Sequence, residues 1–377
     1  MSTICGLWKF CDTISTIIAR TMRSPRNRFA TRPTLREVAD RAGVAVSTAS
    51  RALNRGSVSD SLRTRVIAAA SELGYRPHSL ALSLRTGATK TVGFLVSDIA
   101  NPILGRMVRG AASYVDAGGY GLLLAVSDGY VERERSLVRM MYERRVDGLI
   151  LSCSDESDVR LAEIVRELEI PVVLLDRELP VTRAHRVLVD HRQGIVEAVD
   201  HLAKLGHRRI GFIGGTLVIR PGRERLQAFK AATTLHGFWD EQLVRLGPLT
   251  PEFGRAAAAV LLSAPERPTA LIATDNRQST GALVAIVEGG HEMAADISFV
   301  GCGDVEALAL HNPPITILNR PVEELGIEAA KLLLASLATP TTDPLDRPVT
   351  RVLSSHLLIR RSTDFPRPAV QTARAIG

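Results

Sequence analysis

Residues 34–84 read TLREVADRAGVAVSTASRALNRGSVSDSLRTRVIAAASELGYRPHSLALSL, and this stretch predicts a small domain of short helices. Thr34 and Glu37 have the spacing of a capping box, which starts a helix. Apolar side chains then recur at intervals of three and four residues, at Leu35, Val38, Ala39 and Ala42. Gly43 follows and permits a tight turn, so the first helix is expected to end there.

Two more helices are predicted after this turn. The second runs from about Val46 to Asn54, and its inward residues are Ala49, Ala52 and Leu53. Ser59 is the predicted cap of a third helix, which ends at Gly74. The residues expected to close the core from the third helix are Val66, Ile67, Ala70 and Leu73. Two short helices joined by a glycine-containing turn form the helix-turn-helix pattern.

The outward face of the second helix carries Val46, Ser47, Ser50 and Arg51. All except Arg51 are short, so a DNA major groove has room for this helix while Arg51 reaches the edge of a guanine. A solvated polar face on a small helical bundle is the alternative interpretation, and the helix pattern by itself favours neither.

The residues that follow decide between the two interpretations. Residues 75–77 are predicted to be extended, and residues 78–85 (HSLALSLR) form one more short predicted helix. With REVADRAGV, STASRALN, LGYRPHSLALSLRTG and TVGFLV in this order, the chain strongly resembles the LacI/GalR family of bacterial transcription regulators. The resemblance implies a hinge helix that folds on operator DNA and wedges Leu84 into the minor groove, where an apolar wedge bends the duplex.

The resemblance also implies which residues contact double-stranded operator DNA. They are Thr34, Leu35, Arg36, Val46, Ser47, Ser50, Arg51, Asn54, Ser59, His78, Ala81 and Leu84. One departure concerns the start of the second helix, where Ala45 replaces the family's usual serine. Losing that cap costs about 1 kcal/mol, and a phosphate contact is expected to be lost with it.

The charge of the chain is concentrated near its start. Residues 1–90 hold 15 Lys and Arg and 5 Asp and Glu, a net charge of +10, whereas the whole chain carries +7. Residues 91–377 therefore carry −3. A basic head on a nearly neutral body is the electrostatic pattern that phosphate contact requires, although a basic face is also often merely solvated.

Composition excludes several other classes of protein. Nothing in the 377 residues approaches 18 unbroken apolar residues, so no membrane span or membrane partner is expected. The four cysteines lie far apart without metal-ligand spacing, which indicates free thiols, no metal and a reducing cytoplasm. Residues 1–33 precede the family's usual start and are predicted to be a disordered extension, unless Met22 is the true first residue.

From Thr91 onward, strands and helices alternate. Buried strands are predicted at 91–97, 120–126, 146–152, 170–176, 208–215, 269–275 and 297–303, and helices at 132–145, 193–205 and 222–234. Such alternation predicts parallel sheets with helices on both faces. The strands are too many for one sheet, so two doubly wound subdomains around a cleft are expected. The fold class is thus a small all-α helix-turn-helix domain followed by an α/β domain.

The second part of the chain resembles the family's effector domain, which is of the periplasmic-binding-protein-like type I. The segments that match include DIANPILGRMVRG, VDGLIL, GHRRIGFIGG and TILNRPVEELG. The predicted boundaries are a head at 34–76, a hinge and linker at 77–90, an effector domain at 91–362 and a tail at 363–377. The first subdomain is predicted at about 91–189 and 320–341, and the second at about 190–319 and 346–362.

The cleft shows no sign of catalytic chemistry. The glycines at 214–215 and 301–303 complete neither G-x-G-x-x-G nor a P-loop, so no nucleotide cofactor is expected. Cys153, between Ser152 and Ser154, has no histidine assigned to it and is expected to be a small buried residue. Loop carboxylates such as Asp155 and Glu156 are expected to be solvated. The chain is therefore not expected to be an enzyme, and no cofactor is expected.

Binding of a small effector is expected instead. The residues that the resemblance places at the effector are Asp98, Ile103, Leu104, Asp128, Arg177, Asp190, Arg225, Leu249, Asp275 and Arg320. Relatives stack aromatic residues on a purine or a sugar where this chain has Ile103, Leu104 and Leu249, and Gly303 replaces a strand-end aspartate. The arginines suit a carboxylate or phosphate. A sugar acid or sugar phosphate is therefore favoured, with a neutral sugar as the alternative.

Two functions remain open from the sequence. One is a cytoplasmic, effector-controlled repressor that binds operator DNA, and the other is a ligand-binding protein of the same fold without regulatory output. The intact head and hinge favour the repressor. A two-fold homodimer is expected, because two heads that recognise a palindrome need matching symmetry. The tail contains Pro366 and Pro368 and no heptad, so no tetramer through a coiled coil is expected.

Overall fold

The computed structural model describes residues 33–54, 56–75, 87–181, 183–338 and 348–366. The chain divides into two compact units, Met1–Gly87 and Ala88–Gly377, and each is described by itself. The predicted N-terminal extension, most of the predicted hinge and most of the tail lie outside the described residues.

The smaller unit contains the three predicted helices, α1 (Leu35–Ala42), α2 (Val46–Leu53) and α3 (Asp60–Leu73). The capping box forms at the start of α1, where Thr34 N donates to Glu37 Oε2 at 2.6 Å and Glu37 N donates to Thr34 Oγ1 at 3.3 Å. Gly43, with a φ of 61°, ends α1 in the left-handed conformation that a side chain disfavours. The predicted helix-turn-helix is thus confirmed.

The core of this head is small and built mainly from alanine and valine. Val38, Ala39, Ala49 and Val66 have no exposed surface. The prediction that Ile67 joins this core is wrong, because its side chain is 51% exposed. On α3 the inward face contains positions 66, 69, 70 and 73, and Ile67 lies about 100° around the helix from Val66.

The starts of α2 and α3 differ from ordinary capped helices. Ala45 precedes α2 and provides no side-chain cap, as its missing hydroxyl predicts. Ser59 holds the N-cap position of α3, but its side chain makes no capping hydrogen bond. Its Oγ instead lies 3.3 Å from Ser61 Oγ. Ser59 therefore holds the predicted N-cap position, but the capping hydrogen bond expected from its side chain does not form.

The larger unit contains two six-stranded sheets. The strands of the first sheet are β1 (Thr91–Val96), β2 (Gly121–Val126), β3 (Gly148–Leu151), β4 (Val172–Leu175), β5 (His185–Asp190) and β11 (Thr350–Ser354). Those of the second are β6 (Ile210–Gly214), β7 (Val244–Leu246), β8 (Ala270–Ala273), β9 (Ser298–Cys302), β10 (Thr316–Asn319) and β12 (His356–Leu358). The orders are β11-β5-β4-β3-β1-β2 and β12-β10-β9-β8-β6-β7, and β12 pairs antiparallel with β10.

Helices cover both faces of each sheet. Those of the first subdomain are α4 (Pro102–Ala117), α5 (Val131–Glu143), α6 (Val159–Glu167) and α12 (Val322–Ala338). Those of the second are α7 (His191–Lys204), α8 (Arg220–Leu235), α9 (Pro251–Leu262), α10 (Asn276–Glu288) and α11 (Glu306–Leu310). Neighbouring strand residues enter opposite cores, as Phe94 and Leu95 do in β1, because side chains alternate along a strand. The predicted α/β fold with two doubly wound subdomains is confirmed.

The chain crosses between the two sheets three times: after Asp190, between β10 and α12, and at Ser355. The prediction that residues 346–362 belong to the second subdomain is therefore wrong for β11. This exposed edge strand pairs in parallel with β5, so its backbone hydrogen bonds decide its sheet. Ser355 Oγ donates to Asp190 O at 2.6 Å, and this hydrogen bond joins two of the three crossings.

Within the described ranges, no helix has both the length and the apolar character needed to span a membrane.

Candidate functional site

The first candidate site is the exposed face of α2 in the head. Val46, Ser47 and Arg51 are exposed, and Ser50 is half-buried. Arg51 Nε donates to Ser47 O at 3.3 Å, so the stem of this side chain lies along the helix. Its two terminal NH2 groups have no hydrogen-bond partner among the described residues of the head. The guanidinium is therefore available to an external acceptor.

The end of α2 is held by two polar side chains. Asn54 Nδ2 donates to Ser50 O at 2.8 Å, so this amide is partly used inside the head. Arg63 donates to Ala52 O at 3.2 Å, a carbonyl that the end of α2 leaves free, and to Gly56 O at 2.9 Å in the loop that follows. The sequence analysis did not select Arg63, because nothing in its spacing distinguishes it from the other arginines of the head.

The remaining predicted DNA contacts divide into two groups. Thr34, Arg36 and Ser59 are exposed and Leu35 is half-buried. His78, Ala81 and Leu84 lie outside the described residues. The structure thus leaves Thr34, Arg36 and Ser59 accessible at the helix starts, and their contact with DNA remains a prediction.

The second candidate site is a cavity between the two sheets of the larger unit. Strand ends meet there: Ser97 follows β1, Ser152 follows β3, Asp176 follows β4 and Gly215 follows β6. Open α/β sheets hold ligands at this edge. Seven of the ten predicted effector residues line the cavity, namely Ile103, Leu104, Arg177, Arg225, Leu249, Asp275 and Arg320. No aromatic side chain is found among the described residues of the lining.

The other lining residues were missed by the sequence analysis. They are Ser97, Asn101, Met107, Ser152, Asp176, Gly215, Ile219, Pro221, Gly222 and Asn276. Ser97, Ser152, Asp176 and Gly215 are the last residues of four predicted strands. The rule that ligands bind at the carboxyl ends of strands would therefore have selected them. The rest reach the cavity only through the packing of helices and loops.

Three predicted effector residues do not line the cavity. Asp98 Oδ2 lies 2.6 Å from Arg277 NH1 in an ion pair. Asp128 forms an ion pair with Arg133. Asp190 Oδ1 caps α7 by accepting from the backbone N–H of residues 192 and 193, at 3.0 and 3.3 Å. Each of these three carboxylates has a partner within the described chain.

Two of the cavity's three arginines are held by the protein itself. Arg177 donates to Cys153 O at 2.5 Å and to Asp176 O at 2.8 Å. Arg225 donates to Thr274 O at 2.8 Å, and its NH2 lies 3.1 Å from His191 Nδ1. These bonds fix the direction of both guanidinium groups and use part of their donor capacity.

His191 and Asp176 form a buried pair beside Arg225. Because Arg225 can only donate, His191 Nδ1 accepts, and Nε2 therefore donates to Asp176 Oδ2 at 3.0 Å. Burial lowers the pKa of His191 to about 3, so the imidazole is neutral. Asp176 takes a left-handed φ of 53°, a conformation that non-glycine residues adopt rarely. The chain Asp176–His191–Arg225 links β4 of the first subdomain to α8 of the second.

Arg320 differs from the other two arginines. It is 9% exposed, and its Nε has no hydrogen-bond partner among the described residues. No oxygen in the described part of the chain accepts a hydrogen bond from its guanidinium, although the Cys302 thiol lies beside it. Buried donors normally have partners, so this group is prepared for an acceptor from outside the chain. The buried Oδ1 of Asn276 also has no partner within the described ranges.

The two departures at Gly303 and Ile103 are neighbours in space. Gly303 has a φ of 81°, and a Cβ at this position would lie 2.9 Å from Ile103 Cδ1. The isoleucine therefore occupies the space beside the glycine that an aspartate would need. Asp304, the next residue, does not replace it, because its carboxylate accepts from Arg360 NH2 at 2.8 Å.

Within the described residues, no cluster of three His, Cys, Asp or Glu side chains fits a metal ion.

Two known families match separate parts of the chain. Residues 34–78 match the family described as bacterial regulatory proteins, lacI family. Residues 199–363 match the periplasmic binding protein-like domain. Both matches agree with the architecture of the two units.

Similar proteins cover most of the chain. The transcriptional repressor PurR of Photobacterium profundum is 30% identical over 309 residues, which are 80% of this chain and 91% of that protein. The ribose operon repressor of Haemophilus influenzae is 30% identical over 318 residues, 81% of this chain and 92% of its own length.

Solved structures with the same fold include two ligand complexes. The Lac repressor dimer bound to operator and the anti-inducer ONPF superposes with a TM-score of 0.79 at 26% identity, covering 88% of this chain and 99% of that one. The transcriptional regulator CelR in complex with cellobiose has a TM-score of 0.67 at 32% identity, covering 88% and 100%.

Proposed function

Because the chain belongs to the lacI family of bacterial regulatory proteins, whose members are transcription regulators and not enzymes, we propose that it is a repressor controlled by a small anion. In this proposal the head binds one half-site of an operator through α2. The cavity between the two sheets binds the effector. In this proposal the chain acts in the cytoplasm, where it binds operator DNA.

The DNA-binding role is supported by the exposed face of α2. The terminal NH2 groups of Arg51 have no partner among the described residues, and the other outward side chains of α2 are short, which is the shape that a major groove admits. Residues 77–90 are proposed as the hinge, with Leu84 as the minor-groove wedge. The finer roles of Thr34, Arg36, Ser47 and Ser59 belong to the same proposal.

One observation carries the effector proposal: Arg320 is a buried guanidinium that donates to no oxygen within the described chain. Burial opposes the charged form, but the Cys302 thiol and the carboxylates of Asp176 and Asp275 raise the pKa of Arg320, so its guanidinium is charged. A carboxylate or phosphate would supply the oxygen acceptors that it lacks, through two parallel hydrogen bonds. The charged lining residues are three arginines and two aspartates, a net charge of +1. A single anionic group on the ligand would neutralise this excess.

The aromatic side chains that the described lining lacks and the polar side chains that it contains indicate the class of ligand. Without an aromatic platform in the described lining, a purine ring or a pyranose face gains no stacking energy here. Hydroxyl groups find partners in Ser97, Ser152 and Asp275. We therefore propose a sugar acid or sugar phosphate. A neutral sugar is the second candidate, because one similar protein is named for the ribose operon and another was solved with cellobiose.

The link from effector to DNA is proposed to be closure of the cleft. A ligand that contacts Arg177 in the first subdomain and Arg225 in the second favours one relative orientation of the two sheets. That orientation would set the spacing of the two hinges in a dimer. The shift is limited by the difference in ligand affinity between the two orientations.

A two-fold dimer is proposed through exposed apolar positions of both subdomains. The edge strand β2 leaves Leu124 37% exposed, and α9 and α10 leave Val260, Val284 and Val287 between 41 and 65% exposed. An apolar edge strand with unpaired backbone groups is normally covered in a stable protein. A second copy of the chain would cover these positions and bring two heads to a palindrome.

One experiment distinguishes the proposed repressor from the alternative, a ligand-binding protein without regulatory output. In a gel-shift assay with DNA from just upstream of its own gene, the full chain should bind specifically and respond to D-gluconate or D-gluconate 6-phosphate. Absence of specific DNA binding would favour the alternative. DNA binding that responds to glucose but to neither anion would favour the neutral sugar.

A further inference from the structure

We propose that the larger unit itself contacts operator DNA, through a basic corner at the amino edge of its first sheet. This inference rests on the proposed DNA-binding function and extends it beyond the head. The basic corner consists of Lys90, which precedes β1, and of Arg144 and Arg145, which lie between α5 and β3. All three side chains are exposed.

Hydrogen bonds hold the turn between α5 and β3 against the start of β1. Thr89 Oγ1 donates to Arg145 O at 2.7 Å. Thr89 N donates to Asp147 Oδ1 and Lys90 N donates to Asp147 Oδ2, both at 2.8 Å. The three cations are therefore fixed on one corner of the first subdomain, next to the point where the chain enters the larger unit.

The cations of the basic corner have unused hydrogen-bond donors. The guanidinium groups of Arg144 and Arg145 have no partner among the described residues. Both carboxylate oxygens of Asp147 accept from backbone amides instead. Lys90 Nζ donates to Tyr120 Oη at 3.1 Å, which leaves two of its three N–H groups for another acceptor. The corner therefore offers three positive groups to an external anion.

The backbone of Arg145 indicates that the turn does not need this side chain. Arg145 follows the C-cap of α5 and has a φ of 56°. Arg145 N donates to Tyr142 O at 2.8 Å and Val146 N donates to Met141 O at 3.2 Å, the two bonds of a Schellman motif. Glycine is the usual residue at this position, because the left-handed conformation disfavours a Cβ. The stability of the turn favours glycine, so the arginine calls for another role.

Operator DNA is the anion that the order of the chain brings to this corner. Thr89 lies five residues after Leu84, the proposed minor-groove wedge, and five residues span at most about 18 Å. DNA carries one negative charge per about 1.7 Å of its axis, so phosphates surround any residue that enters the minor groove. Arginine and lysine both bind phosphate. The basic corner would thus add phosphate contacts, which position a protein on DNA, to the base contacts of the head.

The test measures how salt affects binding of the full chain to the DNA upstream of its own gene. Arg145→Gly removes the side chain and suits the left-handed backbone, so its unfolding temperature should equal or exceed that of the wild type. Each phosphate contact contributes about 0.9 to the slope of log K against log salt. Loss of one contact per subunit of a dimer should lower the slope by about 1.8 and weaken binding at least about fivefold at about 0.1 M salt.

Arg144→Gln should act in the same way, and Arg160→Gln is its matched control. Arg160 is also an exposed arginine of the first subdomain whose guanidinium has no partner in the described chain. It lies in α6, which follows β3, and therefore at the opposite edge of the sheet. The two variants lose the same charge, but Arg160→Gln should keep the wild-type slope. Ethylation of the contacted phosphate should weaken the wild type and leave Arg145→Gly unaffected.

Wild-type affinity and slope in Arg145→Gly would overturn the proposal. An equal loss in Arg160→Gln would overturn it as well, because the effect would then come from net charge alone. Lower stability with unchanged DNA binding in Arg144→Gln would assign that arginine to the end of α5, where a cation stabilises the helix. If the wild type binds no DNA specifically, the proposed repressor function fails and this proposal with it.

Discussion

Arg277 NH1 lies 2.6 Å from Asp98 Oδ2, and this ion pair joins the start of α10 in the second subdomain to the loop after β1 in the first. The two side chains are 36% and 29% exposed, so solvent screens the pair. Such pairs contribute about 0–1 kcal/mol. The nearby hydrogen bond between Asn276 and Asn101 adds a second modest contact. These two contacts add to the buried chain Asp176–His191–Arg225, which also joins the two subdomains.

Asp98→Asn should open the cleft more often without removing a ligand contact, because Asp98 does not line the cavity. We expect the effector to bind up to about fivefold more weakly, which corresponds to the upper value for such a pair. Calorimetry with D-gluconate measures this change. Glu288→Gln, which breaks the ion pair with Arg255 inside the second subdomain, is the control and should leave affinity unchanged. Equal losses in both variants would contradict a role in closure.

Arg320→Gln should remove the preference for an anion. The variant loses a buried positive charge, and we expect affinity for D-gluconate to fall at least about tenfold while affinity for glucose changes little. Competition binding with this matched pair measures the preference directly. Arg351→Gln, at an exposed arginine paired with Glu328, is the control. Tighter binding of glucose than of gluconate by the wild type would reject the anionic effector.

Arg51→Ala should relax base preference at one position of each half-site. A good contact between arginine and guanine contributes about 1–3 kcal/mol to discrimination. Binding to a library of operator variants would locate the affected base pair. Arg41→Ala removes an exposed arginine of α1 that pairs with Glu72, and it should not change preference. Equal losses on operator and random DNA for Arg51→Ala would assign this side chain to a phosphate.

Ala45→Ser should stabilise the head, since α2 begins without a side-chain cap. A serine at this position is expected to add about 1 kcal/mol by accepting from a free N–H of the first turn. Hydrogen exchange of the head amides in the full chain measures the gain. Ala68→Ser, on the exposed middle of α3, should give no gain because serine is a weaker helix former than alanine. Slower exchange in both variants would point away from capping.

Stability should decrease in mild acid. Burial lowers the pKa of His185, His191 and His207, and that of His191 reaches about 3. Each histidine therefore stabilises the native state above the unfolded pKa of about 6.5, and that stability is lost as the pH falls towards the folded value. We expect up to about 1.4 kcal/mol per pH unit for each histidine that stays neutral. Urea unfolding between pH 7 and 5 tests this, and a rise in stability would contradict it.

The head was predictable because its signals are local. The capping box at Thr34 and Glu37 and the left-handed glycine at position 43 act over three or four residues, so sequence spacing alone specifies them. Ile67 was assigned wrongly for a related reason: Val66 and Ile67 both fit an apolar pattern, and only the contact of α3 with α1 and α2 decides which of them is inside.

The central strands were predictable because a strand covered on both faces needs a continuous apolar run, as Thr91–Val96 shows. Five further strands were not predicted. Three of them, β7, β11 and β12, lie at sheet edges and are short or exposed, so their sequences carry little apolar signal. Their positions depend on backbone pairing with strands that are distant in sequence, which no local pattern encodes.

The sequence by itself determined the chemistry available to the cleft: arginines at 177, 225 and 320, and no aromatic platform at 103, 104 or 249. Only the tertiary structure decided how that chemistry is used. It pairs Asp98 with Arg277, joins Asp176 to His191, and leaves Arg320 without an oxygen acceptor in the described chain. The reason is that a hydrogen bond depends on distance and direction between groups far apart in sequence, whereas residue type fixes only which bonds are possible.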